Sequence, residues 1–302
     1  MNEAFFRTFR TNELENNSGA KPRMELRRFD STDSQVSVIG QGTWNIDKGD
    51  RDVAIAALRL GLDLGMTHID TAEMYGDAEE IIAEAIEGRR NEVFLVSKVL
   101  PQNASLRGTI AACERSLARL QTDWLDCYLL HWRGKYPLEE TIEAFEQLQR
   151  EGKILSWGVS NFDVADLDEA WDLAGDGGLV CNQVLYHLQE RAVEHEVLPW
   201  CEEHFLAVVG YAPFGHGRFP GPHTLGGRVL QEIAARHNAT PRQVALRFLV
   251  RRPSLFVIPK SSRPEHAAEN AEAGDLYLSE AELAWIDESF PRGSRPRELP
   301  VL

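Results

Sequence analysis

The sequence predicts a single (β/α)8 barrel. Two patterns predict it. Eight short, apolar, β-rich runs alternate with segments of helical spacing, and that alternation makes the strands parallel. The final residues of nearly every run are polar, as expected where a barrel gathers its site at the C-terminal ends of its strands. An open doubly wound sheet shares the first pattern and is the structural rival. No linker, internal repeat or low-complexity block marks a second domain in the 302 residues.

In chain order, residues 1–23 are polar and aperiodic and read as a flexible leader, with the barrel domain over 24–302. The strand runs are "VSVIGQG", "MTHIDTA", "EVFLVSK", "WLDCYLLHW", "ILSWGVSNF", "LVCNQVLYH", "LAVVGYAPF" and "LFVIPKS". Between them, Val53, Ala57, Leu60 and Leu64 step by four, three and four, as one face of a helix does. Leu106, Ile110, Cys113, Leu117 and Leu120 form a second stripe. Leu138, Ile142, Phe145 and Leu148 form a third, with Pro137 in its first turn and Gly152 at its stop. Thr240-Pro241 opens another helix.

Composition narrows the function. The formal net charge of −15 argues against nucleic acid and anionic membrane as partners, since both are bound mainly by Lys and Arg. Cys113, Cys127, Cys181 and Cys201 form no CxxC pair and read as reduced core residues, so no metal centre is expected. No stretch is long and apolar enough to span a membrane, and the N-terminus lacks the apolar run of a signal peptide. A cytoplasmic enzyme is the expectation.

The strand ends supply the chemistry. Asp70 ends the second run with Tyr75 just beyond it, and Lys98 ends the third. The fourth run ends in His131, the fifth in Ser160-Asn161, the sixth in Gln183, the seventh in Tyr211 and the eighth in Lys260-Ser261. Singly, each has an ordinary explanation: Asp70 a helix cap, Tyr75 packing, His131 a core histidine. Lys98 is harder to explain so, because a lysine in an apolar run needs a partner or a task. Together they form a tuned proton donor. A phenol has an ordinary pKa of ~10. A lysine ammonium beside it favours the phenolate, an aspartate keeps the lysine charged, and a histidine polarises a carbonyl oxygen. The matching hydride must come from a cofactor, because no side chain supplies one. Other chemistries fit less well. Gly40-Gln41-Gly42 begins a GxG, but Asn45 breaks the Rossmann fingerprint. "HID" at 68–70 hints at a metal, for which Lys98 is a poor companion ligand.

At these motifs the chain resembles an aldo-keto reductase. The likeness is carried by "GLDLGMTHIDTAEMYG", "VFLVSK", "DCYLLHW", "WGVSNF", "NQVLYH", "YAPF" and "IPKSSRPEHAAEN" and extends from about 24 to 290. The resemblance implies a (β/α)8 barrel that reduces carbonyls with NADPH, NADH being possible. It implies Tyr75 as proton donor, Lys98 and Asp70 as its charged partners, and His131 as the residue orienting the carbonyl. It implies Ser160, Asn161 and Gln183 at the nicotinamide carboxamide, Tyr211 under the ring, and Gly42, Thr43 and Trp44 in the first loop beside cofactor and substrate. Lys260 and Ser261 fall at the 2′-phosphate, and Glu269 and Asn270 at the adenine end. One departure stands out: an arginine common in NADPH-preferring members is here His266, with Arg263 nearby but out of register. "GQGTW", "DTAEMYG", "LLHW" and "NQVLYHL" look most like the bacterial branch acting on methylglyoxal and similar small aldehydes. The C-terminal "FPRGSRPRELPVL" reads as a short tail leaving a fairly open pocket walled by Trp44 and Trp132. A monomer is the family-based expectation. A cofactor-holding regulatory subunit, as among some relatives of potassium channels, is the alternative that the intact tetrad does not separate.

Overall fold

The computed structural model describes residues 24–29, 32–175 and 178–302. The expected leader, 1–23, lies outside the described residues. The chain opens with an antiparallel pair, β1 (Leu26–Arg28) and β2 (Gln35–Ser37). The alternation follows: β3 (Gln41–Gly42), α1 (Arg51–Asp63), β4 (His68–Asp70), α2 (Ala78–Ala85), β5 (Phe94–Val99), α3 (Leu106–Leu120), β6 (Leu125–Leu130), α4 (Leu138–Arg150), β7 (Ile154–Ser160), α5 (Val164–Ala174), β8 (Leu179–Leu185), α6 (Val197–Glu203) and β9 (Ala207–Tyr211). Two helices, α7 (Leu225–Arg236) and α8 (Pro241–Leu249), precede β10 (Leu255–Val257) and α9 (Pro264–Glu272), and α10 (Glu280–Ser289) ends the helices.

Strands β3 to β10 pair in parallel in sequence order. Bridges from Ile39 to Val257 and from Gly42 to Lys260 close the ring. The closing hydrogen bonds run from Gly40 N–H to Val257 O (2.8 Å), Val257 N–H to Val38 O (3.0 Å) and Gly42 N–H to Pro259 O (3.1 Å). Gly42 permits this approach, since a Cβ there would sit 2.6 Å from the Ile258 carbonyl oxygen. The predicted barrel, not the open sheet, is therefore formed. The first predicted run divides, however. Gln35–Ser37 turns away to pair with β1, and only the residues beyond it join the barrel. Phe29, just after β1, packs on Phe94 and Phe256, with ring centroids 4.8 and 5.1 Å away. Phe94 begins its strand, so the hairpin plugs the N-terminal end and leaves the other end for the site.

The α4 stripe is buried as spaced, and Gly152 follows the helix at φ +72°. Pro137 is the N-cap rather than a first-turn residue. In α1 the stripe is rotated from the expected one. Val53 is exposed, and Ala54, Ala57, Leu58, Gly61 and Leu62 face inward. That face packs against α9, and Gly61 within it makes room for the Gln41 amide of β3, which a Cβ there would strike. Helix α8 starts on a full capping box, Thr240 with Gln243, as its Thr-Pro opening predicts. Helices α7 and α10 pack together outside the eightfold alternation and correspond to no predicted stripe.

Candidate active site

Register carries the predicted residues to one mouth. Gly42 pairs with Asp70, and Ser160 with Gln183, near the C-terminal ends of their strands. Lys98 lies within β5, fully buried. Its Nζ donates to Asp70 Oδ1 at 2.5 Å and to the Thr71 carbonyl at 2.8 Å. Asp70 Oδ2 accepts from the Gln183 amide at 2.7 Å. Asp70 caps no helix; the N-cap of α2 is Asp77. The Lys98 ammonium stands 5.1 Å from the centroid of the Tyr75 ring, and the His131 ring meets that ring edge-on at 5.8 Å.

The electrostatics differ from expectation at one point. Burial pushes the Tyr75 phenol above its ordinary value; Lys98 pulls the other way and does not win. The expected lowering therefore fails, because desolvating a phenolate outweighs one ammonium already shared with Asp70. Burial also opposes charge on Lys98, yet Asp70 and Tyr75 together hold its pKa above the ordinary value. Burial, reinforced by Lys98, drives His131 down to about 2, so its imidazole is neutral.

Above these residues opens a cavity of about 600 Å³. Asp70, Tyr75, His131, Ser160, Asn161, Gln183, Tyr211 and Lys260 line it, with Gly42, Thr43, Trp44 and Trp132. Trp44 and Trp132 are 41% and 37% exposed, which makes them wall rather than core. Asn161 adopts φ +63° and donates to the His131 carbonyl and to Ser160 Oγ, both at 3.1 Å. Its side-chain oxygen accepts from the Tyr211 hydroxyl at 2.8 Å. Burial raises the Tyr211 phenol to about 12. Lys260 is the only Lys or Arg in the lining among the described residues, and burial lowers its pKa against the pull of Asp47.

A second cavity of about 400 Å³ meets the first at Gly217 and is lined by Glu269 with Thr240 and Arg242. Ser261, Arg263, His266 and Asn270 line neither cavity. Ser261 holds both backbone groups of Arg263, the N-cap of α9; Arg263 and His266 are exposed there, and Asn270 is buried. Sequence reasoning missed Met74, Phe214, His216 and Leu302 in the lining. His216 stacks on Trp44 at 5.0 Å across the mouth, and the glycines of "GHG" were its available signal. The tail is not too short to reach the pocket. The Leu302 N–H donates to the Tyr211 hydroxyl at 3.4 Å, and Arg191 holds the end of α10, from which the tail departs, at Asp287 and Phe290.

Residues 38–290 match the model of the aldo/keto reductase family. The chain belongs to the aldo/keto reductase family. Methylglyoxal reductase YeaE of Escherichia coli is 45% identical to this aldo/keto reductase over 265 residues, 86% of this chain and 93% of that one. Glyoxal reductase of Bacillus subtilis is 34% identical over 250 residues, 82% and 87% of the two chains. An aldo-keto reductase from Klebsiella pneumoniae, solved in complex with NADPH, superposes with a TM-score of 0.86 at 44% identity, covering 93% of this chain and all of that one. Among the described residues, no group of His, Cys, Asp and Glu could hold a metal, and no helix is long and apolar enough to cross a membrane.

Proposed function

We propose that this aldo/keto reductase uses NADPH to reduce small aldehydes and 1,2-dicarbonyls such as methylglyoxal, and substituted benzaldehydes, to alcohols. The observation that carries the reading is Tyr75 beside the Lys98–Asp70 pair and a neutral His131, at the floor of a cavity that also presents Ser160, Asn161 and Gln183. Those three polar groups and the flat Tyr211 ring suit a nicotinamide carboxamide and ring. The partly buried Lys260 ammonium suits an anion. Ser261, Arg263 and His266 at the start of α9 would hold the 2′-phosphate, with Glu269 and Asn270 toward the adenine and Gly42, Thr43 and Trp44 beside the nicotinamide. When bound, the nicotinamide supplies the hydride.

The protein does the rest. Tyr75, with its pKa held up by burial, keeps its proton at neutral pH and delivers it to the carbonyl oxygen. Lys98 then offsets the phenolate charge. The neutral His131 offers an N–H to the same oxygen without adding a second cation beside Lys98. Trp44 and Trp132 wall the substrate side. A cavity of about 600 Å³ shared with nicotinamide leaves room for a small carbonyl. The methylglyoxal and glyoxal reductases among its relatives support that substrate class. Four buried cysteine thiols, none in a disulfide, fit a reducing cytoplasm, and we infer a monomer there.

The test is NADPH oxidation with methylglyoxal, benzaldehydes and a ketosteroid, repeated with NADH. The expected order of kcat/KM places the small carbonyls above the steroid and NADPH above a measurable NADH rate. A steroid clearly preferred overturns the substrate class. No turnover with any carbonyl leaves the regulatory-subunit reading in its place.

A further inference from the structure

Gln183 faces two ways. Its main-chain carbonyl accepts from Ser160 Oγ and from the Asn161 N–H, both at 2.8 Å, so its place on β8 is fixed. Its amide reaches Asp70 Oδ2 at 2.7 Å, across 113 residues of sequence. The orientation of that amide is forced. Asp70 is 1% exposed and ion-paired with Lys98, so it is an ionised, acceptor-only group. The Gln183 nitrogen must therefore face Asp70, and its oxygen is the group presented to the cavity.

We propose that Gln183 is a positioning residue for the proton donor as well as a cofactor contact. Lys98 donates to the Asp70 carboxylate and the Thr71 carbonyl while its ammonium stands 5.1 Å from the centroid of the Tyr75 ring, so Asp70 and Tyr75 share its charge. How much of its charge reaches Tyr75 depends on how Asp70 holds it. The Gln183 amide occupies Oδ2, so only Oδ1 grips the ammonium. Without that donor, Oδ2 is buried and unpaired, and both oxygens turn to Lys98. The phenol then loses support, becomes a weaker acid and gives up its proton more slowly. The same amide thus ties the group that orients the nicotinamide to the group that sets the acidity of Tyr75. This role rests on the reductase reading above.

The test uses Gln183→Met and Gln183→Glu. Methionine keeps the length and removes the donor. In Gln183→Glu the introduced carboxyl shares one proton with Asp70 in acid and donates as the amide does; in base the two carboxylates repel. In single-turnover reduction with saturating NADPH, Gln183→Met is expected to be slower by about tenfold or more from about pH 6 to pH 9. Gln183→Glu is expected to recover most of the parent rate near pH 6 and lose it as pH rises. In ligand-free protein, Gln183→Met melts below the parent, and Gln183→Glu matches the parent only in acid. A smaller loss in Gln183→Met, no acid recovery in Gln183→Glu, or unchanged melting of ligand-free Gln183→Met overturns the proposal. If Gln183→Met does not fold, the pH dependence of Gln183→Glu decides alone. The melting arm stands whether or not the chain reduces carbonyls, whereas a parent without turnover counts against the reductase reading.

Discussion

Replacing Lys98 with methionine keeps most of the stem and deletes a charge that is 0% exposed. Two partners lose their donor, Asp70 Oδ1 at 2.5 Å and the Thr71 carbonyl at 2.8 Å. Asp70 is left as a buried carboxylate whose remaining side-chain donor is the neutral Gln183 amide. Breaking a buried pair from one side costs about 3–5 kcal/mol. Against a total stability of about 5–15 kcal/mol, the variant folds with a narrow margin. Catalysis suffers separately. With Lys98 5.1 Å from the Tyr75 ring centroid, a unit charge pair at an effective dielectric of about 20 is worth about 3 kcal/mol. That is about a hundredfold in rate if the whole interaction is expressed in the transition state. Urea unfolding and single-turnover rates read the two effects independently. Asp70→Asn alone should also lose stability, since it strands the ammonium. The double variant Lys98→Met/Asp70→Asn should be no less stable than either single one, because no charge is left without its partner. It should stay slow. Additive stability losses, or a Lys98→Met protein at the parent rate, would refute the coupled Asp70–Lys98–Tyr75 arrangement.

Tyr75→Phe removes only the hydroxyl; turnover should fall by about 10²–10⁴ with NADPH affinity nearly unchanged, and a near-parental rate sinks the donor role. His266→Arg adds a permanently charged fork at the start of α9; NADPH should bind about tenfold tighter and NADH the same, by fluorescence titration, and no gain means the side chain does not face the 2′-phosphate. Burial lowers the pKa of His68 from 6.5 to about 4, so the unfolded chain takes up the proton first on acidification. Stability at this site is complete above about pH 6.5, falls as pH drops from there, and levels off below about pH 4 after a loss of about 3 kcal/mol. His68→Leu should flatten that part of the urea-unfolding profile, leaving the shares of His131 and His187, which burial also lowers; an unchanged profile contradicts the assignment.

The alternation of strand and helix was legible in the sequence because it is local. A period of two or of 3.6 residues is written in neighbouring side chains, and so are Gly152 after α4 and the Thr240-Pro241 start of α8. The strand-end residues were legible for a related reason. Parallel strands all finish at one side, so Asp70, Lys98, His131, Ser160 and Gln183 had to meet once the ring closed.

Other features were decided by contacts between distant parts of the chain. The two-residue β3 depends on Gly42 reaching the β10 segment, and the face that α1 buries depends on what α9 offers it. The direction of the Tyr75 pKa is a balance of burial against Lys98, and burial is a property of the packed barrel. The tail meets Tyr211, 91 residues earlier, and the α10 terminus it leaves from is held by Arg191, 96 and 99 residues away. The amide of Gln183 turns toward Asp70 rather than wholly into the cavity because an ionised carboxylate lies there, 113 residues earlier in the chain. By itself the sequence determined which chemical groups gather at the mouth. Their mutual orientation, and so the proton balance among them, came only with the tertiary structure, because electrostatics in a buried site depends on distance and desolvation and not on order along the chain.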